Sequence, residues 1–230
     1  MNILFFHGLA GSPDDIDRTA AHMPGWRFLA PQIPYLDPSF QTIEQIAEHV
    51  RQKIPESFLP ENTVVAGNSL GGALALSLGA SFSRIMLVAS HLRTSTRRIG
   101  RGVLAFQHEI SQIFHDPQRI PHDRKKRYEA MWNEFTSCRK KFRLFRNVKT
   151  MSERFDFNTR YCRLQDRIII VCGRSDRISP VESFQSLVQQ YPGMRMHVVE
   201  QCGHAIPLER PDALAGLFQQ WAFGRGGRVE

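Results

Sequence analysis

Residues 63–78 read Thr-Val-Val-Ala-Gly-Asn-Ser-Leu-Gly-Gly-Ala-Leu-Ala-Leu-Ser-Leu. The apolar run at 63–66 is typical of a buried strand, and the Ala- and Leu-rich run at 71–78 is typical of a buried helix. Between them lies a G-x-S-x-G motif, in which a glycine on each side of the serine lets the chain turn sharply from strand to helix. Such a turn holds the serine Oγ above the edge of a sheet. The stretch therefore predicts Ser69 as a nucleophile.

Short apolar runs recur on both sides of this stretch. They predict further strands at 2–6, 27–30, 84–89, 167–172 and 194–199, and apolar residues at helical spacing predict a helix at 42–54. Strands that alternate with helices are typical of a parallel sheet covered by helices on both faces. The alternation is interrupted only at 91–165. We therefore expect an α/β core formed by 1–90 and 166–230, with a helical cap at 91–165.

The net charge of +8 is concentrated in this predicted cap, which holds 18 Lys/Arg and 7 Asp/Glu. A segment with that excess has its own task, and its sign suggests an acidic partner. The alternative is a solvated helical face that keeps the protein soluble.

The rest of the composition limits the class of protein. Hydrophobic residues make up 42% of the chain, which is enough for a folded core. The four cysteines include no C-x-x-C pair, so a disulfide framework is not expected. No apolar run reaches the ~20 residues of a membrane-spanning helix, and the first residues do not resemble a signal peptide. We expect a protein of the reducing cytoplasm without a membrane span.

Position in the sequence selects the base for the serine. A serine hydroxyl is a weak nucleophile unless a neighbouring base removes its proton. The chain has nine histidines, of which His204 follows the last predicted strand in a loop that can reach back over the strand ends. His197 falls within that strand, and the spacing of His108, His115 and His122 in the cap matches no metal site. We therefore predict His204 as the base, and no metal.

The acidic partner of the histidine is predicted partly from where the sequence lacks Asp and Glu. No Asp or Glu lies between Glu61 and Glu109, so the strand after the serine cannot supply one. Asp176 follows the fifth predicted strand, at the edge where ligands gather in parallel sheets. Asp166 precedes that strand and is placed at the opposite edge. Asp176 would accept the Nδ1–H of the base and fix its tautomer; its alternative role is to cap the helix beginning near Pro180.

Acyl transfer also needs N–H donors aimed at the developing oxyanion. We expect the backbone of Leu70, after the nucleophile, and that of Leu9, in the loop after the first strand, to supply them. His7 in the same loop is expected to pack or hydrogen-bond beneath it.

These features together resemble the α/β-hydrolase superfamily. The resemblance rests on the His-Gly turn at 7–8, the serine turn at 67–71, a Gly-x-x-Asp-x-Ile-x-Pro loop around Asp176 and a Gly-His-x-x-x-x-Glu-x-Pro loop around His204. It covers 1–90 and 166–222 and implies a serine hydrolase that needs no cofactor. Two antiparallel strands usually precede the His-Gly strand in this family, and here they are missing, so we expect about six mostly parallel strands.

The basic cap resembles that of pimeloyl-acyl-carrier-protein methyl ester esterases of biotin synthesis. This resemblance implies a small or carrier-bound ester substrate, and an acidic acyl carrier protein that meets guanidinium and ammonium groups of the cap. The candidate residues are Arg93, Arg97, Arg98, Arg101, Arg124, Lys125, Lys126, Arg127, Arg139, Lys140 and Lys141.

Other functions remain open at this point. The superfamily includes thioesterases, carbon–carbon hydrolases and a lyase on the same triad, so the fold cannot choose among them. A Ser at the turn, where dehalogenases and epoxide hydrolases have Asp, argues against those two classes. Loss of a triad member would have favoured a non-catalytic binding module, yet all three residues are present. Nucleic-acid binding by the cap has no recognised motif in its favour.

Overall fold

The computed structural model describes residues 1–9, 11–58, 60–90 and 110–223. Four of the candidate cap residues, Arg93, Arg97, Arg98 and Arg101, lie outside the described residues.

The core is one six-stranded sheet in which every described pair of neighbouring strands is parallel. This confirms the predicted fold class. The strand order is β2-β1-β3-β4-β5-β6. The chain therefore moves outward from β1 to β2 and then crosses back to β3, so the order reverses between the ends of β1 and β3. Open α/β sheets bind ligands at such a reversal. The strands are β1 (Asn2–Phe6), β2 (Arg27–Leu29), β3 (Thr63–Asn68), β4 (Arg84–Val88), β5 (Ile168–Gly173) and β6 (Arg195–Val199).

Helices connect the strands and cover both faces of the sheet. None of those described has the length and apolar character needed to cross a membrane. They are α1 (Asp17–Ala21), α2 (Ile43–Arg51), α3 (Gly71–Leu78), α4 (His122–Ser137), α5 (Arg139–Arg154), α6 (Phe157–Leu164), α7 (Val181–Gln190), α8 (Ile206–Glu209) and α9 (Pro211–Phe223).

Strand β1 shows why both faces are covered. Side chains alternate along a strand, and in β1 all of them are apolar from Ile3 to Phe6 and fully buried. Leu4 and Phe6 join one core cluster with α2, α3 and α7, whereas Ile3 and Phe5 join a second cluster with α9. A strand buried on both faces reads as a continuous apolar run, which is how the sequence revealed it.

The described part of the predicted cap, residues 110–164, is helical and packs in two places. Ile110, Phe114 and Tyr128 form a small cluster with Ala205 and Leu208 of the histidine loop. The end of α5 and all of α6 instead lie against the main core cluster, through buried Val148, Met151, Phe155, Tyr161 and Leu164. The first half of the segment therefore lies close to the predicted catalytic loop, and the second half extends the core.

The turn between β3 and α3 is pressed against the end of β1. A Cβ atom on Gly71 would lie 2.1 Å from the carbonyl oxygen of Phe6, closer than any side chain can approach. The sequence needs glycine at this position because the two backbones touch.

A matched pair of glycine variants tests this close approach. Gly71→Ala should lower the free energy of unfolding by about 1–3 kcal/mol, as overpacking does. Gly216→Ala, within α9, should raise it by about 0.5–1 kcal/mol, because a Cβ at that position meets nothing within 4 Å and alanine favours the helix. Denaturant unfolding of both variants provides the measurement. Equal stability of Gly71→Ala and the unaltered protein would contradict the contact.

Candidate active site

Ser69 occupies the turn between β3 and α3 in a strained backbone conformation. Its φ of +51° lies in the left-handed region, which residues other than glycine rarely adopt. Two hydrogen bonds to the end of β4 hold it there: Ser69 N–H donates to the carbonyl of Val88 at 2.9 Å, and the hydroxyl of Ser90 donates to the carbonyl of Ser69 at 2.6 Å. Strain of this kind is typical of a nucleophile presented above a sheet.

Asp176 and His204 are hydrogen-bonded to each other at the carboxyl ends of β5 and β6. His204 Nδ1 lies 2.8 Å from Asp176 Oδ2, and Asp176 is only 4% exposed. The other carboxylate oxygen accepts the N–H groups of Ile178 and Ser179, each at 2.8 Å. With Nδ1–H donated to the carboxylate, His204 Nε2 is left with its lone pair and can accept a proton.

Of the two roles considered for Asp176, the structure shows the contact with His204. The helix cap was wrong, because α7 begins after Pro180 and has no side-chain cap. The carboxylate orients His204 and also closes the turn at 176–179 that leads into α7. Asp166 lies in the turn that precedes β5, at the amino edge of the sheet and far from this chemistry.

Asn68 links the turn that carries Ser69 to the loop that carries His204. Its Nδ2 donates to the carbonyl of Val88 at 3.1 Å and to the carbonyl of His204 at 3.4 Å. The residue before Ser69 thus contacts the backbone of His204, and the carboxyl ends of β3, β5 and β6 bring Ser69, Asp176 and His204 to one edge of the sheet.

The loop after β1 lies directly against the nucleophile. A Cβ atom on Gly8 would be 3.2 Å from Ser69 Cβ, and Gly11 N–H donates to the carbonyl of Gly8 at 3.0 Å, which closes a turn around Leu9. Leu70 is the N-cap residue of α3. At this end of a helix the N–H groups have no acceptor within the helix. Both predicted oxyanion donors therefore come from backbone that borders Ser69.

His7 supports this loop. Ile33 N–H donates to His7 Nε2 at 3.2 Å, so the ring carries its proton on Nδ1 and donates it to the carbonyl of Gly8 at 2.8 Å. The hydroxyl of Tyr35 donates to the carbonyl of His7 at 2.7 Å. Burial lowers the pKa of His7, so the ring is neutral and structural, as its place in the sequence suggested.

The remaining described histidines do not form a metal site. The ring of His115 lies 2.8 Å from the hydroxyl of Ser175. Among the residues that the structure describes, no three His, Cys, Asp or Glu side chains come together as metal ligands.

Glu209 is a site residue for which sequence reasoning assigned no role. Its carboxylate accepts the N–H of Gly203, just before His204, at 2.8 Å, and the N–H groups of His115 and Asp116 at 2.8 and 3.4 Å. Burial raises the pKa of Glu209, and these backbone N–H groups oppose the rise. The carboxylate therefore joins the histidine loop to the cap. The motif around His204 contained Glu209, but nothing in the sequence named its partners more than 90 residues earlier.

The predicted partner-binding cluster at 124–127 is divided by the structure. Arg124 and Arg127 turn toward the core and form ion pairs with Asp14 and Asp15 of the loop after β1. Lys125 and Lys126 are exposed. The surface available to a partner at this cluster is therefore two lysines, half of what the sequence suggested. Arg139, Lys140 and Lys141 lie in the first turn of α5.

Comparison with known families agrees with this geometry. The family described as the alpha/beta hydrolase family matches residues 3–217. The chain belongs to the alpha/beta hydrolase family.

Individual relatives match this hydrolase over part of its length. A 2-hydroxymuconate semialdehyde hydrolase from Pseudomonas putida is 33% identical over 58 residues, which are 25% of this chain and 21% of the relative. A 2-hydroxy-6-oxononadienedioate/2-hydroxy-6-oxononatrienedioate hydrolase from Escherichia coli is 30% identical over 92 residues, 39% of this chain and 32% of the relative. The chain thus matches a third or less of the length of these curated relatives. A thermophilic esterase from Thermogutta terrifontis shares the fold, with a TM-score of 0.71 at 17% identity over 96% of this chain and 89% of the other.

Removal of the Glu209 carboxylate should affect both stability and catalysis. Glu209→Ala leaves the N–H groups of Gly203 and His115 without their acceptor, and an unsatisfied buried polar group costs about 1–3 kcal/mol. We expect that loss in denaturant unfolding, together with a lower kcat, because Gly203 precedes the base. Glu200→Ala is the control, since the Glu200 side chain forms a surface ion pair with Arg174, and loss of that pair should cost about 0–1 kcal/mol. Equal losses in both variants would show that Glu209 has no special role.

Proposed function

We propose that this chain is a serine hydrolase that cleaves carboxylic esters through an acyl-enzyme. The observation that supports this most directly is the 2.8 Å hydrogen bond between His204 Nδ1 and buried Asp176, beside a serine with a φ of +51°. A base oriented by a carboxylate and a strained serine are the parts that nucleophilic acyl transfer requires. The esterase of the same fold is consistent with this reaction.

The proposed reaction uses each of these groups in turn. Ser69 Oγ gives its proton to His204 Nε2 and attacks the ester carbonyl, and Asp176 stabilises the imidazolium that forms. The oxyanion receives hydrogen bonds from the N–H groups of Leu9 and Leu70. His204 then returns the proton to the departing alkoxide, which leaves as the alcohol. A water molecule, deprotonated by His204, releases the carboxylic acid and regenerates the serine.

A second reaction on the same triad is supported by the two curated relatives. The compounds in their names contain no ester group, so their hydrolysis must break a carbon–carbon bond. Ester cleavage is the leading proposal because Ser69, His204, Asp176 and two backbone N–H donors would supply every group that acyl transfer to and from serine requires. We also propose a cytoplasmic location, in keeping with four free cysteines and the reducing environment of that compartment.

Covalent labelling and turnover test the proposed reaction. The protein should react with a fluorophosphonate probe, and Ser69→Ala should abolish both labelling and the hydrolysis of p-nitrophenyl esters while the circular dichroism spectrum is unchanged. Asp176→Asn should lower kcat by about 10⁴-fold, because the amide no longer fixes the histidine tautomer.

An ester series from acetyl to long acyl chains, run beside a 2-hydroxy-6-oxo-dienoate, separates ester from carbon–carbon cleavage. Turnover of the dienoate alone would favour the second reaction. Labelling that persists in Ser69→Ala would exclude Ser69 as the nucleophile.

We further propose that the acyl group arrives on an acidic carrier protein that meets the outer face of α5. Arg143, Arg146, Lys149 and Arg154 are exposed along this helix, and only Lys149 among them is paired within the described residues, with Glu153 at 3.8 Å. Because Arg124 and Arg127 are engaged with the core, α5 offers more unengaged positive charge than α4. Complementary charge accelerates and orients association between proteins.

Charge reversal on α5 tests the carrier proposal. Arg143→Glu/Arg146→Glu should raise the KM for a carrier-bound ester at least about tenfold at low salt and leave p-nitrophenyl acetate turnover unchanged, because the change lies away from Ser69. The control is Arg163→Glu on α6, another exposed arginine. Equal effects on both substrates would exclude a carrier site on this helix.

A further inference from the structure

The loop that supplies Leu9 is held by a buried carboxylate. Asp15 is 6% exposed, and its Oδ2 accepts the N–H of Ser12 at 2.9 Å. This hydrogen bond closes the loop between the turn at Gly8 and the 3-10 turn Pro13–Ile16. Gly8 lies against Ser69, and a Cβ atom on Gly11 would lie 2.5 Å from Asp15 Oδ2 and 3.3 Å from the Gly8 nitrogen, so Asp15 packs against the backbone that borders Ser69.

The second oxygen of Asp15 belongs to the cap. Oδ1 accepts a hydrogen bond from Arg127 and lies 3.4 Å from Arg124 Nη1. Both arginines also contact Asp14: Arg127 Nη1 lies 2.9 Å from Asp14 Oδ1, and Arg124 Nη2 donates to the carbonyl of Asp14 at 2.9 Å. Because they are three residues apart on α4, their side chains share one face of the helix.

The burial of these charges makes the contact specific. The Arg124 side chain is only 13% exposed, and a buried carboxylate is costly unless charges and donors surround it. Burial raises the pKa of Asp15, whereas the Ser12 N–H and the positive charges of Arg127 and Arg124 lower it. If α4 moves away, Asp15 loses its countercharge and keeps only the hydrogen bond to Ser12.

We propose that Asp15 and Arg127 are positioning residues through which cap helix α4 sets the geometry of the oxyanion loop. This inference rests on the proposed function, since it assumes that the Leu9 N–H stabilises an oxyanion. Under this proposal Arg124 and Arg127 do not bind a partner protein but hold Asp15 and the loop that contains Leu9. The pair acts on the transition state through the loop and does not touch the substrate.

Two readouts of Arg127→Gln test the proposal in the full-length protein. Loss of a whole oxyanion donor costs about 10²–10³ in rate, and a displaced loop should cost part of that, so we expect kcat for p-nitrophenyl esters to fall about 10–100-fold with KM unchanged. Hydrogen–deuterium exchange of a peptide spanning 8–16 should accelerate. Arg127→Lys, which keeps the charge, should restore part of both.

Glu129→Gln is the matched control, because it removes one charge from the exposed side of the same helix and should alter neither readout. Asp15→Asn should resemble Arg127→Gln, and the double variant should lose little more than either single variant, because the two residues act as a unit. Unchanged exchange at 8–16 in Arg127→Gln, or faster exchange with unchanged kcat, would overturn the proposal.

Failure of the proposed function would look different. In that case the unaltered protein would hydrolyse none of the esters, while the exchange measurement would still show whether α4 holds the loop.

Discussion

The contact between the turn at 67–71 and the end of β1 is the constraint on which the site depends. Gly71 approaches the Phe6 carbonyl too closely for any side chain, and Gly67 approaches the backbone of Gly71 in the same way. This close packing keeps Ser69 at a φ of +51° and brings the loop after β1 against it. Because β1 and β3 are adjacent and the strand order reverses there, Ser69 and the loop that holds Leu9 arise from one junction.

Much of this junction could be predicted from the sequence because its signals are local. The helix at 71–78 was predicted with the bounds that the structure shows, since a buried apolar run follows directly after glycine. The strand predicted at 27–30 ends at Leu29; it lies at the edge of the sheet, where fewer contacts fix its end. Asp176 was predicted as the acid because no Asp or Glu follows the strand after the serine and because it comes directly after β5, which is a matter of order along the chain.

Other parts of the site depend on contacts between distant residues. A basic run such as 124–127 has the same composition whether its side chains face solvent or the core. What decides is the position of Asp14 and Asp15, more than 100 residues earlier. Glu209 illustrates the same limit, since its motif was visible but its partners at 115 and 116 were not. Local sequence patterns identify which side chains are present, whereas tertiary contacts determine whether each side chain faces solvent or the core.

The cap contacts the loops that carry His204, Asp176 and Leu9. The carbonyl of Ile113 accepts the N–H of His204 at 2.6 Å, the ring of His115 lies 2.8 Å from Ser175, next to the acid, and Arg127 holds Asp15. These contacts come from a segment only 15 residues long, 113–127, inserted between β4 and β5. In this chain the cap therefore supports both the Asp176–His204 pair and the loop that holds Leu9. A substitution within 113–127 changes the surroundings of both, because the hydrogen bonds and ion pairs to the two places come from one short segment.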